Sequence, residues 1–328
     1  MRNEVSDMAK AEQSAPRQRL HTKAEKNAAK ARRYLPLALM ALPAVVYLIC
    51  NNYLPMFGLT LAFKKYNYSL GILESPWCGL ENFKFLFTGK DMIRVFRNTI
   101  LYNVWFLFIG TFAAIAIAII LNEITKKKLQ QVYQTLILIP YLMSWVIISY
   151  IVQAFLANSN GFVNNSLLPL LGVQPVNWYS DPSKWPAILT ICFLWKQFGY
   201  QSIIYFATII GIDRSYYEAA VVDGATTWQQ IVKITLPCLR PTMITLTLMH
   251  LGRIFASDFG MFYQVPQNSG LLYPATQTID TYVYRALLEL NDVGRASAAG
   301  FLQSILGFIT VLITNAIVSK VDSDSALF

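Results

Sequence analysis

Apolar residues run along this chain in long blocks separated by short polar ones, the pattern of helices that cross a bilayer. Ile100–Leu121 contains no charged residue, and neither do Tyr34–Tyr53, Val132–Leu156 or Ala296–Val318. A hydrocarbon core about 30 Å thick needs about 20 apolar residues per helix, so each block predicts one crossing. Trp185–Ile210 and Thr242–Phe262 are equally long but carry ionisable residues within them. The expectation is an all-α integral membrane protein with six transmembrane helices and both chain ends on one side. An N-terminal tail, residues 1–33, precedes a transmembrane domain, residues 34–328.

Charge gives these spans a direction. With the N-terminus inside, the inner segments 1–33, 122–131, 211–241 and 319–328 carry 16 Lys and Arg, and the longer outer segments 54–98, 157–184 and 263–295 carry 9. The positive-inside rule therefore places both termini in the cytoplasm. The first span continues without a small-residue cleavage site and reads as a retained anchor. The tail mixes Ala, Lys, Glu and Gln and reads as disordered or as a loose surface helix. The outer loops hold Pro, Gly and Asn turns, with Trp77, Trp178, Tyr179 and Trp185 suited to a membrane interface.

Composition narrows the function. Only 14% of residues are charged and 55% are hydrophobic, against about 25% charged in soluble domains, which excludes a soluble enzyme. The net charge of +9 comes largely from the tail, where nine of the 27 Lys and Arg lie. No recognition motif accompanies it, so nucleic acid is not an expected partner. Cys50, Cys78, Cys192 and Cys238 have neither disulfide nor zinc spacing.

The inner segment 211–241 is the most informative. Ser215 followed by Glu218 has capping-box spacing and predicts a helix from about Tyr216. Gly224 suits the left-handed residue that closes a helix. Thr226 with Gln229, or Thr227 with Gln230, predicts a second start, and Pro237 predicts that this second helix stops before it. The result is a short helix pair on the inner membrane face.

The spacing of Glu218-Ala219-Ala220, Gly224, Ile234 and Leu236-Pro237 resembles the EAA loop of binding-protein-dependent ABC importer permeases. Asp223-Gly224-Ala225 is similar to their sugar-importing branch. Pro55-Met-Phe-Gly-Leu, Ala62-Phe63-Lys64, Tyr66, Ser75-Pro-Trp, Gly79-Leu80 and Asn82-Phe83 resemble the MalF-like, LplB-type carbohydrate permeases, so the likeness covers the chain from about residue 30. What it implies is a permease subunit of a type I importer, forming the pathway for an oligosaccharide or polysaccharide fragment in the bacterial cytoplasmic membrane. The implied partners are a second homologous permease, two cytoplasmic ABC ATPase subunits, an extracytoplasmic solute-binding protein, the sugar and membrane lipid. ATP and Mg belong to the ATPases, and no cofactor is expected on this chain. Within the loop, Gly224 supplies the turn. Glu218 either contacts the ATPase or caps its helix, Ala219 and Ala220 permit close approach, and Asp223 and Trp228 are exposed contact residues.

Ionisable groups inside the spans are the second candidate site. Lys196 lies ten residues past Pro186, roughly 15 Å deep at 1.5 Å per residue. Arg253 reaches similar depth from the inner side, and Asp258 lies in the outer half of span five. Each costs about 2.5–3.5 kcal/mol on insertion scales and normally faces protein or a wet cavity. One reading puts them on the solute pathway beside Gln197, Tyr200, Gln201 and His250, where amides and ring faces suit a sugar and cations suit an acidic one. The other is structural, an ion pair to Asp258 holding spans four and five together. His250 reads as a packed histidine rather than a metal ligand. Ala296, Gly300 and Ser304 form a small-residue stripe that predicts close helix packing, within the chain or against a second permease.

No phosphate-binding loop, H-E-x-x-H, G-x-S-x-G or G-x-G-x-x-G occurs, and the outer acids are dispersed, which argues against an intramembrane enzyme. An ion-coupled secondary transporter of a polar solute is the alternative. Internal repeats and broken midplane helices, its usual signs, are not visible in the sequence.

Overall fold

The computed structural model describes residues 23–321. Residues 1–22 of the expected tail, with His21, and residues 322–328 lie outside the described residues. The chain forms two units, Met1–Phe57 and Gly58–Phe328.

In the first unit, α1 (Lys23–Leu48) runs from the tail into the first apolar block as one helix and contains Pro36 and Pro43. It continues through a π-type turn, Ile49–Tyr53. Its side chains from Tyr34 to Leu48 are exposed, a surface that suits lipid or protein rather than water.

The second unit is built on α2 (Lys90–Glu123), α3 (Lys127–Leu142), α4 (Trp145–Leu156) and α5 (Trp185–Ile210). After them come α6 (Arg214–Val222), α7 (Thr227–Leu251), α8 (Phe259–Gln264), α9 (Ile279–Leu288) and α10 (Val293–Val321). Among the described residues, Tyr34–Phe63, Asp91–Glu123, Thr227–Leu251 and Val293–Lys320 are long and apolar enough to cross a membrane, and α3 with α4 would make a fifth span. At 26 residues α5 is long enough as well, but Lys196, Gln197 and Gln201 lower its hydropathy.

Two expected spans are not single helices. Val132–Leu156 is split into α3 and α4, which meet at 93°. Pro140 and the Ser144 cap on the amide of Ile147 make this break. Thr242–Phe262 is cut at 252–258, where turns replace the helix. Its inner part is instead continuous with the helix that begins at Thr227. Pro237 does not end that helix as expected, because a π-type turn at Ile231–Thr235 lies directly ahead of it. The wider turn accommodates the ring and the missing amide donor.

Three apolar clusters hold the unit together. Tyr102, Phe106, Ile148, Trp185, Leu189, Met261 and Phe262 join α2, α4, α5 and α8. Ala114, Ile115 and Ala118 meet Tyr205, Phe206, Ile209 and Leu239 where α2, α5 and α7 converge. Phe83, Leu86, Val95, Ile279, Ala298 and Ala299 bind α9 and α10 to the start of α2. In α10 the small-residue stripe does not serve internal packing as a unit. Ala296 is buried, but a Cβ on Gly300 would meet nothing within 4 Å, and Ser304 is exposed.

Candidate functional site: an inner helix pair and a broken midplane

Local chemistry fixes the inner helix pair. The carboxylate of Asp213 accepts the Ser215 amide at 2.9 Å, so α6 begins at Arg214, two residues earlier than the Ser215 box predicts. Hydrogen bonds from Ser215, its backbone amide first and its hydroxyl second, hold the Asp213 carboxyl below the usual carboxylate range. At the other end Gly224 adopts φ +76°. Its amide donates to the Val221 carbonyl at 3.0 Å, and the Ala225 amide donates to Ala220 at 2.8 Å, the paired bonds of a Schellman turn. Thr226 and Gln229 then form the capping box that starts α7. The Tyr217 and Thr235 hydroxyls meet at 2.9 Å and tie α6 to α7.

This arrangement leaves a definite exposed face. Glu218, Ala219, Asp223 and Gly224 are exposed, and Ala220 is half-buried. Val222 and Trp228 are 86% and 71% exposed. Asp213 takes the capping role at α6, and among the described residues the Glu218 carboxylate has no hydrogen-bond or ion-pair partner. Glu218 also lines a groove with Asn122, Glu123, Arg214 and Thr227, where the C-terminal end of α2 meets the pair.

The midplane residues converge only in part. Lys196 is buried at 7% exposure, and its ammonium donates to the carbonyls of Tyr141 at 2.8 Å, Pro140 at 3.5 Å and Met143. The expected ion pair to Asp258 is not made. These carbonyls lie at the end of α3; the Met143 amide already donates to Pro140 at 3.2 Å, and the cation supplies the donors that the carbonyls of Tyr141 and Met143 would otherwise lack. Asp258 instead caps α8 through the Met261 amide and accepts the Trp145 indole N–H at 2.6 Å. Asn103 plays the matching part at the second break, donating to the carbonyls of Ile254 at 3.0 Å and Ala256 at 3.1 Å. Polar side chains here complete broken backbone, the condition for irregular structure at membrane depth.

Around the two breaks, Gln197, His250 and Asp258 line one small cavity with Asn103 and Phe193. Gln201 meets His250 at 3.2 Å, and Tyr200 stacks on Tyr141 at 4.6 Å. Arg253 lies in the break rather than in a helix and is exposed. Its guanidinium has no hydrogen bond or ion pair among the described residues.

Residues 107–323 match the family described as binding-protein-dependent transport system inner membrane component. This chain belongs to that family. The permease is 31% identical to protein LplB of Bacillus subtilis (strain 168), over 88% of this chain and 90% of the relative. It is 32% identical to the polygalacturonan/rhamnogalacturonan transport system permease protein YteP of the same organism, over 87% and 88%. A solved bacterial ABC transporter involved in the import of the acidic polysaccharide alginate shares its fold with a TM-score of 0.83 and 32% identity, covering 91% of the permease and 100% of that chain. The bacterial alginate ABC transporter in complex with an alginate pentasaccharide-bound periplasmic protein gives a TM-score of 0.81 at 32% identity, covering 89% and 97%. The permease is therefore a membrane component of an ABC transport complex.

Sequence reasoning did not single out Asn103, Tyr141 and Trp145. A signal for the first break was present, since Pro140 followed by Ser144 is a stop and a cap within one apolar block. A polar amide at Asn103, near the start of the long apolar run Ile100–Leu121, is a second signal.

Proposed function

We propose that this permease forms the translocation pathway of an ATP-driven importer for an acidic oligosaccharide or polysaccharide fragment. The observation that carries the coupling is the Schellman-closed turn at Gly224, which projects Trp228 and an unpartnered Glu218 from the inner helix pair. Glu218, Ala219, Ala220, Asp223, Gly224 and Trp228 form the face that two ATPase subunits, carrying ATP and Mg, grip through this chain and a second permease. A binding protein delivers the sugar from outside. The chain sits in the bacterial cytoplasmic membrane with six crossings within residues 34–328 and both termini in the cytoplasm.

Relatives named for charged polysaccharides support an acidic solute. In the permease the Lys196 ammonium is turned to the carbonyls at the end of α3, while Arg253, exposed and without a side-chain hydrogen bond or ion pair among the described residues, is open to a carboxylate. Gln197, Tyr200, Gln201 and His250 supply amide, ring and imidazole groups along the same path, while the Asp258 carboxylate is held by the Trp145 indole and the Met261 amide.

The test is uptake of labelled oligogalacturonate or alginate oligosaccharides by the assembled complex in proteoliposomes. Uptake is expected to need internal ATP, to ignore ion gradients, and to fall about tenfold in Glu218→Gln, the scale of one charge-assisted contact. Uptake that proceeds without ATPase subunits and follows an ion gradient would establish the secondary-transporter alternative.

A further inference from the structure

We propose that Lys196, Trp145 and Asp258 form a latch between the two broken helices, in which Lys196 positions the pathway and does not bind solute. The proposal rests on the importer reading and assigns these three residues a gating role within it.

The geometry starts from Lys196. An ammonium has three donors, and here three backbone carbonyls, of Pro140, Tyr141 and Met143, receive them inside the protein. None remains for a sugar carboxylate. The same ammonium lies over the Trp145 ring, 5.3 Å from its centroid, and 5.7 Å from the Tyr141 centroid. Trp145 is the first residue of α4, so the cation that completes the end of α3 also fixes the start of α4.

The indole then passes this constraint across the break. Its face meets a cation and its N–H edge meets the Asp258 carboxylate at 2.6 Å. Both ends suit the ring's charge distribution, negative on the face and positive at the edge. Asp258 in turn caps α8. Gly260 completes the seat, because a Cβ there would lie 2.5 Å from Trp145 Cδ1. The break at 143–144 is thus bonded to the break at 252–258. Helices α4 and α8, packed together through Ile148, Met261 and Phe262, cannot part without separating the indole from the carboxylate.

The experiment is a double-mutant cycle read as uptake kinetics in the assembled complex. Lys196→Met and Trp145→Phe are each expected to lower turnover about tenfold, the scale of one hydrogen bond to a charged group, with KM for the solute unchanged. The double variant is expected to be no worse than the poorer single one, since coupled residues are not additive. A raised KM with intact turnover in Lys196→Met, or losses that multiply in the double variant, would overturn the latch. If Lys196→Met does not assemble, the cycle of Trp145→Phe with Asp258→Asn decides in the same way, multiplying losses again overturning the latch. Failure of the importer reading is seen separately, as wild-type uptake that ignores ATP.

Discussion

Gly224 has room around it and yet no freedom of choice. A Cβ at this position would meet nothing within 4 Å, but at φ +76° an ordinary L-residue costs about 1–2 kcal/mol. Asparagine tolerates this region and valine does not. Gly224→Asn is therefore expected to keep solute-stimulated ATP hydrolysis in the assembled complex, while Gly224→Val loses most of it; equal rates in the two variants would show that the turn is dispensable. Asp213 gives a pH-dependent counterpart. Its folded carboxyl is lowered by bonds from Ser215, so its contribution is present above the ordinary carboxylate range and disappears as pH falls through the lowered value. Amide protection in 214–222, corrected for the intrinsic pH dependence of exchange, should fall there, and Asp213→Ala should be weakly protected throughout. A wild-type profile as flat as the variant's would remove Asp213 from the account. The sequence marks Gly224 for the turn and leaves the second cap between Thr226 and Thr227, and the structure uses Thr226 with Gln229. It misplaces the first cap because Asp213 and Ser215 are both good caps, and the spacing to Glu218 favours Ser215, whereas the structure caps with Asp213.

Helices meet here at distances that only glycine and stray polar groups allow. A Cβ on Gly199 would lie 1.9 Å from the Ile137 carbonyl oxygen, so α5 and α3 touch backbone to backbone. Gly199→Ala must push these helices apart, at a cost of about 1–3 kcal/mol or more for overpacking. The check is thermal unfolding of the purified complex, where a midpoint clearly below wild type is expected and an unchanged midpoint would mean the contact is not made. Apolar blocks announced most of these helices, but not the two breaks. A hydropathy window sees only side chains along one segment. The donors that make the breaks tolerable come from far away, Lys196 some 55 residues beyond Tyr141 and Asn103 some 151 residues before Ile254. The same property hides the Lys196 seat, since of the two readings the sequence leaves open, solute pathway or ion pair with Asp258, neither names the carbonyls at the end of α3 that the ammonium meets.

For the molecule as a whole, the proposed orientation, with the α6–α7 helix pair in the cytoplasm, rests on the charge count along the loops. Cysteines introduced singly at Val222 and Leu290, both well exposed, test this in a variant cleared of the four native cysteines. A membrane-impermeant maleimide is expected to reach Val222→Cys only from the cytoplasmic side and Leu290→Cys only from the other. Labelling of both from one side would reverse or break the proposed topology. Fold class and family were legible because they rest on composition and one closely spaced loop. The convergence of Gln197, His250 and Asp258 on one cavity was only partly so, since it depends on where α7 stops.

The carbonyl seat of Lys196 also orders events during synthesis. Its acceptors at 140–143 leave the ribosome before the lysine does, and 55 residues separate Tyr141 from Lys196. At about 5–20 residues per second the bent hairpin waits roughly 3–11 s for its cation. Neither partner is comfortable in lipid alone, so α3, α4 and α5 have reason to leave the translocon together, as one package rather than helix by helix.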